Sequence, residues 1–168
     1  MKKILSALLL ALTVSLCLTG CGLNTPRPDV KNGEFDVSVT YEVNGEVKTL
    51  DLVYICEYDG IGYTLEGTYY RAWNGHFNGY GDGDPIEVLK ADDGSVIQLS
   101  FLIYAEYFMG EPEYIDDFYP DVKTERVYYV DGVEMIDYDQ ELIAEDYGVR
   151  VIGIKYAEPI ENSFGLFL

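Results

Sequence analysis

From residue 35 onward, apolar and polar residues alternate along much of this chain, and the alternation breaks at dipeptides that favour tight turns. Phe35, Val37, Val39, Tyr41 and Val43 alternate with Asp36, Ser38, Thr40 and Glu42, and the run ends at Asn44-Gly45. A two-residue turn there sets Val39 opposite Leu50, Val37 opposite Leu52 and Phe35 opposite Tyr54, which keeps one face apolar across both strands. The same arithmetic around Asp93-Gly94 sets Val88 opposite Leu99 and Ile86 opposite Phe101, with Lys90 beside Ile97. Around Asp131-Gly132 it pairs Val130 with Val133, Tyr128 with Met135, and Arg126 with Asp137 as an opposite-charge pair. Three registers that each match face to face predict a mainly β, antiparallel two-layer or sandwich-like domain.

The remaining segments fill in around these hairpins. Residues 61–73 read as a further strand pair or bent strand, interrupted at Gly62 and Gly67, where a bulge is expected. Residues 74–85 and 107–122 read as long loops, the first rich in Gly, Asn and Asp, the second carrying Pro112, Pro120 and clustered acids. One short α-helix is predicted near the C-terminus, from Tyr138 to Tyr147: Asp137 and Gln140 form a capping box, Leu142 and Ile143 supply the inner stripe, and Gly148 ends it. Val149 to Tyr156 is apolar on both faces and predicts a central or covered strand. The apolar tail from Ile160 to Leu168 is expected to pack on the sheet.

The first residues follow a different pattern. Met1-Lys2-Lys3, an apolar run from Ile4 to Leu18 and the tetrad Leu18-Thr19-Gly20-Cys21 have the form of a bacterial lipoprotein export signal. A run of about 15 residues is short for a permanent span, and small Thr19 and Gly20 give a peptidase access to the bond before Cys21. Cys21 is therefore the expected lipid-attachment residue, since a thiolate can take a diacylglyceryl group. Residues 1–20 read as signal peptide, 21–33 as a lipid-anchored tether with Pro26 and Pro28, and 34–168 as a single extracytoplasmic domain. A tether of about 12 residues reaches roughly 20 Å.

Charge changes the picture of what such a domain meets. The chain carries 11 basic and 30 acidic residues; loss of Lys2 and Lys3 with the signal takes the net charge from −19 to −21. That balance opposes binding to nucleic acid, which depends on Lys and Arg at phosphates, and contact with the membrane is expected only through the lipid. Once Cys17 has left with the signal and Cys21 is lipidated, Cys56 is alone, so the mature chain has no internal disulfide. Cys56 shares a face with Leu52 and Tyr54 and reads as a buried structural thiol.

Phe35-x-Val37-x-Val39-x-Tyr41-x-Val43-Asn44-Gly45, Cys56-Glu57-Tyr58-Asp59-Gly60, Tyr147-Gly148-Val149 and Pro159-Ile160-Glu161-Asn162-Ser163-Phe164 resemble a group of uncharacterised cell-surface lipoproteins of low-GC Gram-positive bacteria, over most of the mature length. The resemblance implies a surface lipoprotein and carries no activity or functional residues with it.

Candidate chemistry is sparse. Asp82-Gly83-Asp84, with Asn74, Asn78 and Glu87, offers oxygen ligands for Ca²⁺, but the spacing is not that of an EF-hand loop and a solvated turn is the preferred reading; no cofactor or metal is expected. Tyr69, Tyr70, Trp73, Phe77 and Tyr80 cluster around the first long loop and raise the alternative of a carbohydrate-binding platform near Trp73, against the plainer reading of strand packing. Tyr107, Phe108, Tyr114, Phe118 and Tyr119 in the second loop suit either a partner patch or a loop pinned by its own rings. A hydrolase ranks lowest: 30 acids place some carboxylate pair at a glycosidase separation by chance, and His76 has no nucleophile elbow to serve. The expected function is a non-catalytic binding or accessory module for a protein or envelope partner, with a glycan as the alternative ligand.

Overall fold

The computed structural model describes residues 25–81 and 84–165. Strands β1 (Arg27–Pro28), β2 (Asn32–Val43), β3 (Glu46–Tyr63), β4 (Tyr69–Phe77), β5 (Ile86–Lys90) and β6 (Val96–Leu102) are followed by short helices α1 (Ala105–Phe108) and α2 (Pro112–Ile115). The chain continues through β7 (Asp121–Val130), β8 (Val133–Asp137), helix α3 (Gln140–Tyr147), β9 (Val149–Tyr156) and β10 (Phe164–Gly165). Two four-stranded antiparallel sheets, ordered β4-β3-β2-β9 and β5-β6-β7-β8, form the two layers, and β1 pairs separately with β10. The mainly β, antiparallel two-layer architecture expected from the alternation is the one observed.

Two of the three predicted registers hold residue for residue. Phe35 faces Tyr54, Val37 faces Leu52 and Val39 faces Leu50; Val130 faces Val133, Tyr128 faces Met135 and Arg126 faces Asp137. Both turns have the left-handed backbone their dipeptides supply, at Asn44 (φ 53°) and Gly45 (φ 83°) and at Asp131 (φ 52°) and Gly132 (φ 80°). The middle hairpin differs. Ile86 faces Leu99, Leu89 faces Ile97 and Lys90 faces Val96, with a bulge between Glu87 and Leu89. The loop is three residues long: Gly94 N–H donates to Ala91 O and Ala91 N–H to Ser95 O, so Gly94 ends a tight turn instead of occupying its centre. Asp93 holds that loop by accepting Ser95 N–H at 2.8 Å and Tyr147 Oη–H at 2.8 Å. The bulge then restores the apolar match of Ile86 with Leu99.

Other expectations are corrected in detail. Gly67 lies in the β3–β4 turn, and the bulge falls between Tyr58 and Gly60. Residues 74–77, expected as loop, continue β4, and residues 107–108 and 112–115 of the second long connection are helical, the first as the end of α1. Helix α3 begins later than its sequence suggests because Asp139, not Asp137, is the cap, accepting Glu141 N–H and Leu142 N–H; Gly148 ends it with φ 63°. Strand β9, apolar on both faces, is an edge strand and not a central one, and Ile152 on it is exposed. It is covered on one side only, where it packs over β7.

The core runs between the layers. Val39 and Leu99 are fully buried against one another's sheets with Val122. Ile143 of α3 closes one end against Val43, Ile97 and Val149. At the other end Phe108 of α1 fills the space among Phe35, Tyr54 and Tyr156 with tilted and edge-on ring contacts. Gly75 on β4 makes this packing possible, since a Cβ there would lie 2.1 Å from Tyr54 Oη.

Chain segments 25–30 and 160–165 are tied together. Beyond the β1–β10 pair, Asp29 N–H donates to Ser163 O. Asn162 accepts Val30 N–H at 3.1 Å and donates to Val30 O and Met109 O. Part of the stretch expected as a tether is thus fastened to the domain.

Candidate functional site

Two places combine exposure with chemistry. The first is built on β4. Arg71 points from that strand toward Glu111, the buried residue that opens α2, and the guanidinium meets the carboxylate through both Nε and Nη2. Trp73 Nε1–H donates to the same carboxylate at 2.9 Å, so both oxygens of this buried acid are paired and it meets three donors, the kind of compensation that burial of a charge requires. Arg71 also donates to Pro26 O at 3.3 Å and stacks 4.1 Å over the Phe164 ring. One side chain therefore gathers the N-terminal segment, the C-terminal tail, β4 and α2. The hydrogen bond from Arg71 to Glu111 raises the guanidinium's affinity for its proton further.

Beside this junction lies a cavity of about 280 Å³ bordered by Tyr69, Tyr70, Glu106, Glu113 and Tyr114. Burial, together with the charge of Glu111, pushes the Glu106 carboxyl upward. Burial does the same to the Tyr114 phenol, aided by Glu106 and Glu113. The aromatic cluster expected around Trp73 is divided here. Trp73 is half-buried, edge-on to Tyr58 and committed to Glu111; Phe77 is buried against Tyr54 and Phe101; Tyr69, Tyr70 and Tyr80 are exposed. In the second connection Tyr107 and Phe108 are core. Tyr104, Tyr114 and Phe118 pack on one another, a segment pinned by its own rings, while Tyr119 stays exposed.

The second place is the rim of the other sheet. β9 packs over β7, and β8 lies beyond it at the sheet edge. Val133 (60% exposed), Met135 (42%) and Ile136 (44%) on β8, with Tyr129, Val130 and Tyr138 around them, leave apolar surface open on both faces of one strand. Because the turn is a two-residue one, Val130 with Val133 and Tyr128 with Met135 are the hydrogen-bonded pairs, and the main-chain N–H and C=O of Glu134 and Ile136 point away from β7. Nothing in the local sequence marks this site; the hairpin register pairs Val133 and Met135 with Val130 and Tyr128 but does not say that β8 lies at a rim, which only the sheet order shows. The cross-strand partner of Asp137, Arg126, directs its guanidinium to Asp93 at 3.7 Å and over the Tyr128 ring at 4.2 Å.

The other expected residues are dispersed or lie elsewhere. Cys21, Asp82 and Gly83 fall outside the described residues. Asp84 folds back on its own loop and accepts Gly81 N–H at 3.0 Å. Asn74 lies opposite Glu57 on β4, and Glu87 pairs with Lys90 at 3.3 Å. Among the described residues no three His, Cys, Asp or Glu side chains converge as a metal site would require. Cys56 is fully buried, and its thiol is pushed up to about 12 by burial and by Glu106. His76 sits opposite Ile55, one position along from Cys56 and therefore on the other face of the sheet, so the two form no nucleophile–base pair. No helix among the described residues is long and apolar enough to cross a membrane. Comparison with family models, with curated proteins and with solved structures gives no match.

Proposed function

We propose that this chain is a non-catalytic binding module, lipid-anchored through Cys21 to the extracytoplasmic face of the cell membrane, that engages a protein partner through the β8 rim. The observation that carries the reading is the apolar surface at Val133, Met135 and Ile136, which no part of the described chain covers. Apolar side chains exposed on both faces of an edge strand are a liability in an isolated domain, and a covering partner removes it. Support for the anchor is the tetrad Leu18-Thr19-Gly20-Cys21 behind its apolar run. With 30 acidic residues against the 9 basic ones that remain once Lys2 and Lys3 are gone, the domain is repelled by an anionic surface, which suits a module that faces outward from its lipid.

The test is site-specific photo-crosslinking in intact cells, with the reactive side chain placed at Met135 and, as the control, at Asp51 on the outer face of the opposite sheet. A discrete crosslinked protein from position 135 and none from position 51 supports the reading; equal or no yield from both refutes it.

A second reading has a specific observation behind it. The cavity bordered by Tyr69, Tyr70 and Tyr114 presents rings and carboxylates together, the combination used to stack and hydrogen-bond a sugar. Tyr69→Ala with Tyr70→Ala would abolish binding to cell-wall glycan fractions on this reading and leave it unchanged on the first.

A further inference from the structure

We infer that β8 recruits its partner by strand addition, and that the partner segment is an extended, basic peptide. The inference rests on the protein-binding reading above and specifies its chemistry.

The geometry supplies the docking template. Glu134 and Ile136 occupy the non-hydrogen-bonded positions of the β7–β8 pair, so their N–H and C=O groups form an outward row at the sheet edge. An incoming strand satisfies that row with main-chain hydrogen bonds, and its alternate side chains lie beside Val133 and Met135 on one face and Ile136 on the other. Edge pairing needs nothing from β7 to be broken.

Charge selects the occupant. Asp131, Glu134, Asp137, Asp139 and Glu141 cluster along β8, its turn and the start of α3. Arg126, the cross-strand partner of Asp137, is already engaged with Asp93 and two tyrosine rings. A second copy of this chain would bring the same five carboxylates against these five, on mature bodies that each carry −21 once Lys2 and Lys3 have left with the signal, which opposes edge-to-edge self-association. A segment that alternates Lys or Arg with β-branched residues meets both the carboxylates and the apolar side chains.

The experiment uses the purified full chain in detergent micelles and a nonapeptide of alternating lysine and valine. A second peptide has the same sequence with N-methyl groups on the amides of one edge, so that its charge is kept and its main-chain donors are lost. Affinity at physiological salt and hydrogen exchange at β8 are the readouts. The proposal expects the unmodified peptide to bind and to slow exchange at Glu134 and Ile136, and the N-methylated peptide to bind roughly tenfold or more weakly, the worth of two or more main-chain hydrogen bonds. Ile136→Pro should weaken the unmodified peptide to a similar degree. The proline removes an outward N–H that the ladder does not use, a position where edge strands tolerate it, and an unchanged circular dichroism spectrum verifies the fold. Glu134→Lys, which leaves every backbone group in place, is a second variant expected to weaken binding.

Equal affinity of the two peptides, or binding indifferent to both variants, would mean adhesion to an acidic surface and would overturn the proposal. So would sedimentation showing that β8 is occupied by a second copy. If the peptides fail while crosslinking from position 135 still captures a discrete protein, strand addition falls and the protein-binding reading survives; if both fail, both fall.

Discussion

The side-chain amide of Gln140 completes the edge of β7 by bonding to both main-chain groups of Thr124. Gln140 Oε1 accepts Thr124 N–H at 2.9 Å and the Thr124 hydroxyl at 2.8 Å, and Gln140 Nε2 donates to Thr124 O. β8 ends its pairing at Asp137 opposite Arg126, so the groups of Thr124 would otherwise be orphaned beside the core, where Thr124 is fully buried. A glutamine at the start of α3 thus acts as one further rung of the ladder, and it fixes where the helix docks.

Gln140→Ala is expected to destabilise the fold by about 1–3 kcal/mol, the cost of leaving buried main-chain groups unpaired. Gln140→Glu keeps the acceptor and loses the donor, and should fall between alanine and wild type. Urea denaturation of the three proteins measures the order directly; equal stability of all three would show that the contact contributes nothing.

Arg71→Met strands the Glu111 carboxylate in a buried site and is expected to cost about 3–5 kcal/mol. Adding Glu111→Gln should restore part of the loss, since the unpaired charge is then gone. Because Arg71 also holds Pro26 and Phe164, limited proteolysis of Arg71→Met should cut earlier within residues 25–30 than in the wild type.

The buried thiol of Cys56 should resist iodoacetamide at pH 8 in the folded protein and react on unfolding. Its value is raised from about 9 in the unfolded chain to about 12 in the folded one, so the folded state holds the proton more tightly. The thiol's contribution is fully present below pH 9 and is lost as pH rises from 9 toward 12, by up to about 1.4 kcal/mol per unit. Cys56→Ala removes this dependence, and the difference between the two pH–stability curves isolates it from the tyrosines.

Tyr58 Oη is buried without a hydrogen-bond partner among the described residues. Tyr58→Phe keeps the edge-on contact with Trp73 and removes the unsatisfied hydroxyl, so thermal denaturation should give a melting temperature equal to or above that of the wild type. A loss of more than about 1 kcal/mol would imply a partner for the hydroxyl.

The two-layer fold was legible because Asn44-Gly45 and Asp131-Gly132 each fix a register, and a register carries its faces with it. Asp93-Gly94 misled because the same dipeptide also ends a three-residue loop, which shifts the pairs beyond it by one residue, and the bulge between Glu87 and Leu89 shifts them by one more, so that faces match again with Ile86 opposite Leu99 instead of Phe101. Val149 to Tyr156 looked central because local sequence reports how apolar a strand is and not how many neighbours it has. The Arg71–Glu111 pair and the rim at Met135 depend on sheet order and on contacts between residues far apart in the chain. Neither leaves a local pattern, which is why both had to wait for the fold.

All of the functional reading depends on the domain standing outside the cell, because that decides which partners β8 can meet. Intact-mass analysis of the protein extracted from native membranes tests this most directly. The account predicts a chain that begins at Cys21 and carries a diacylglyceryl group on that sulfur; an unmodified Cys21, or a cytosolic product that still carries residues 1–20, would contradict it.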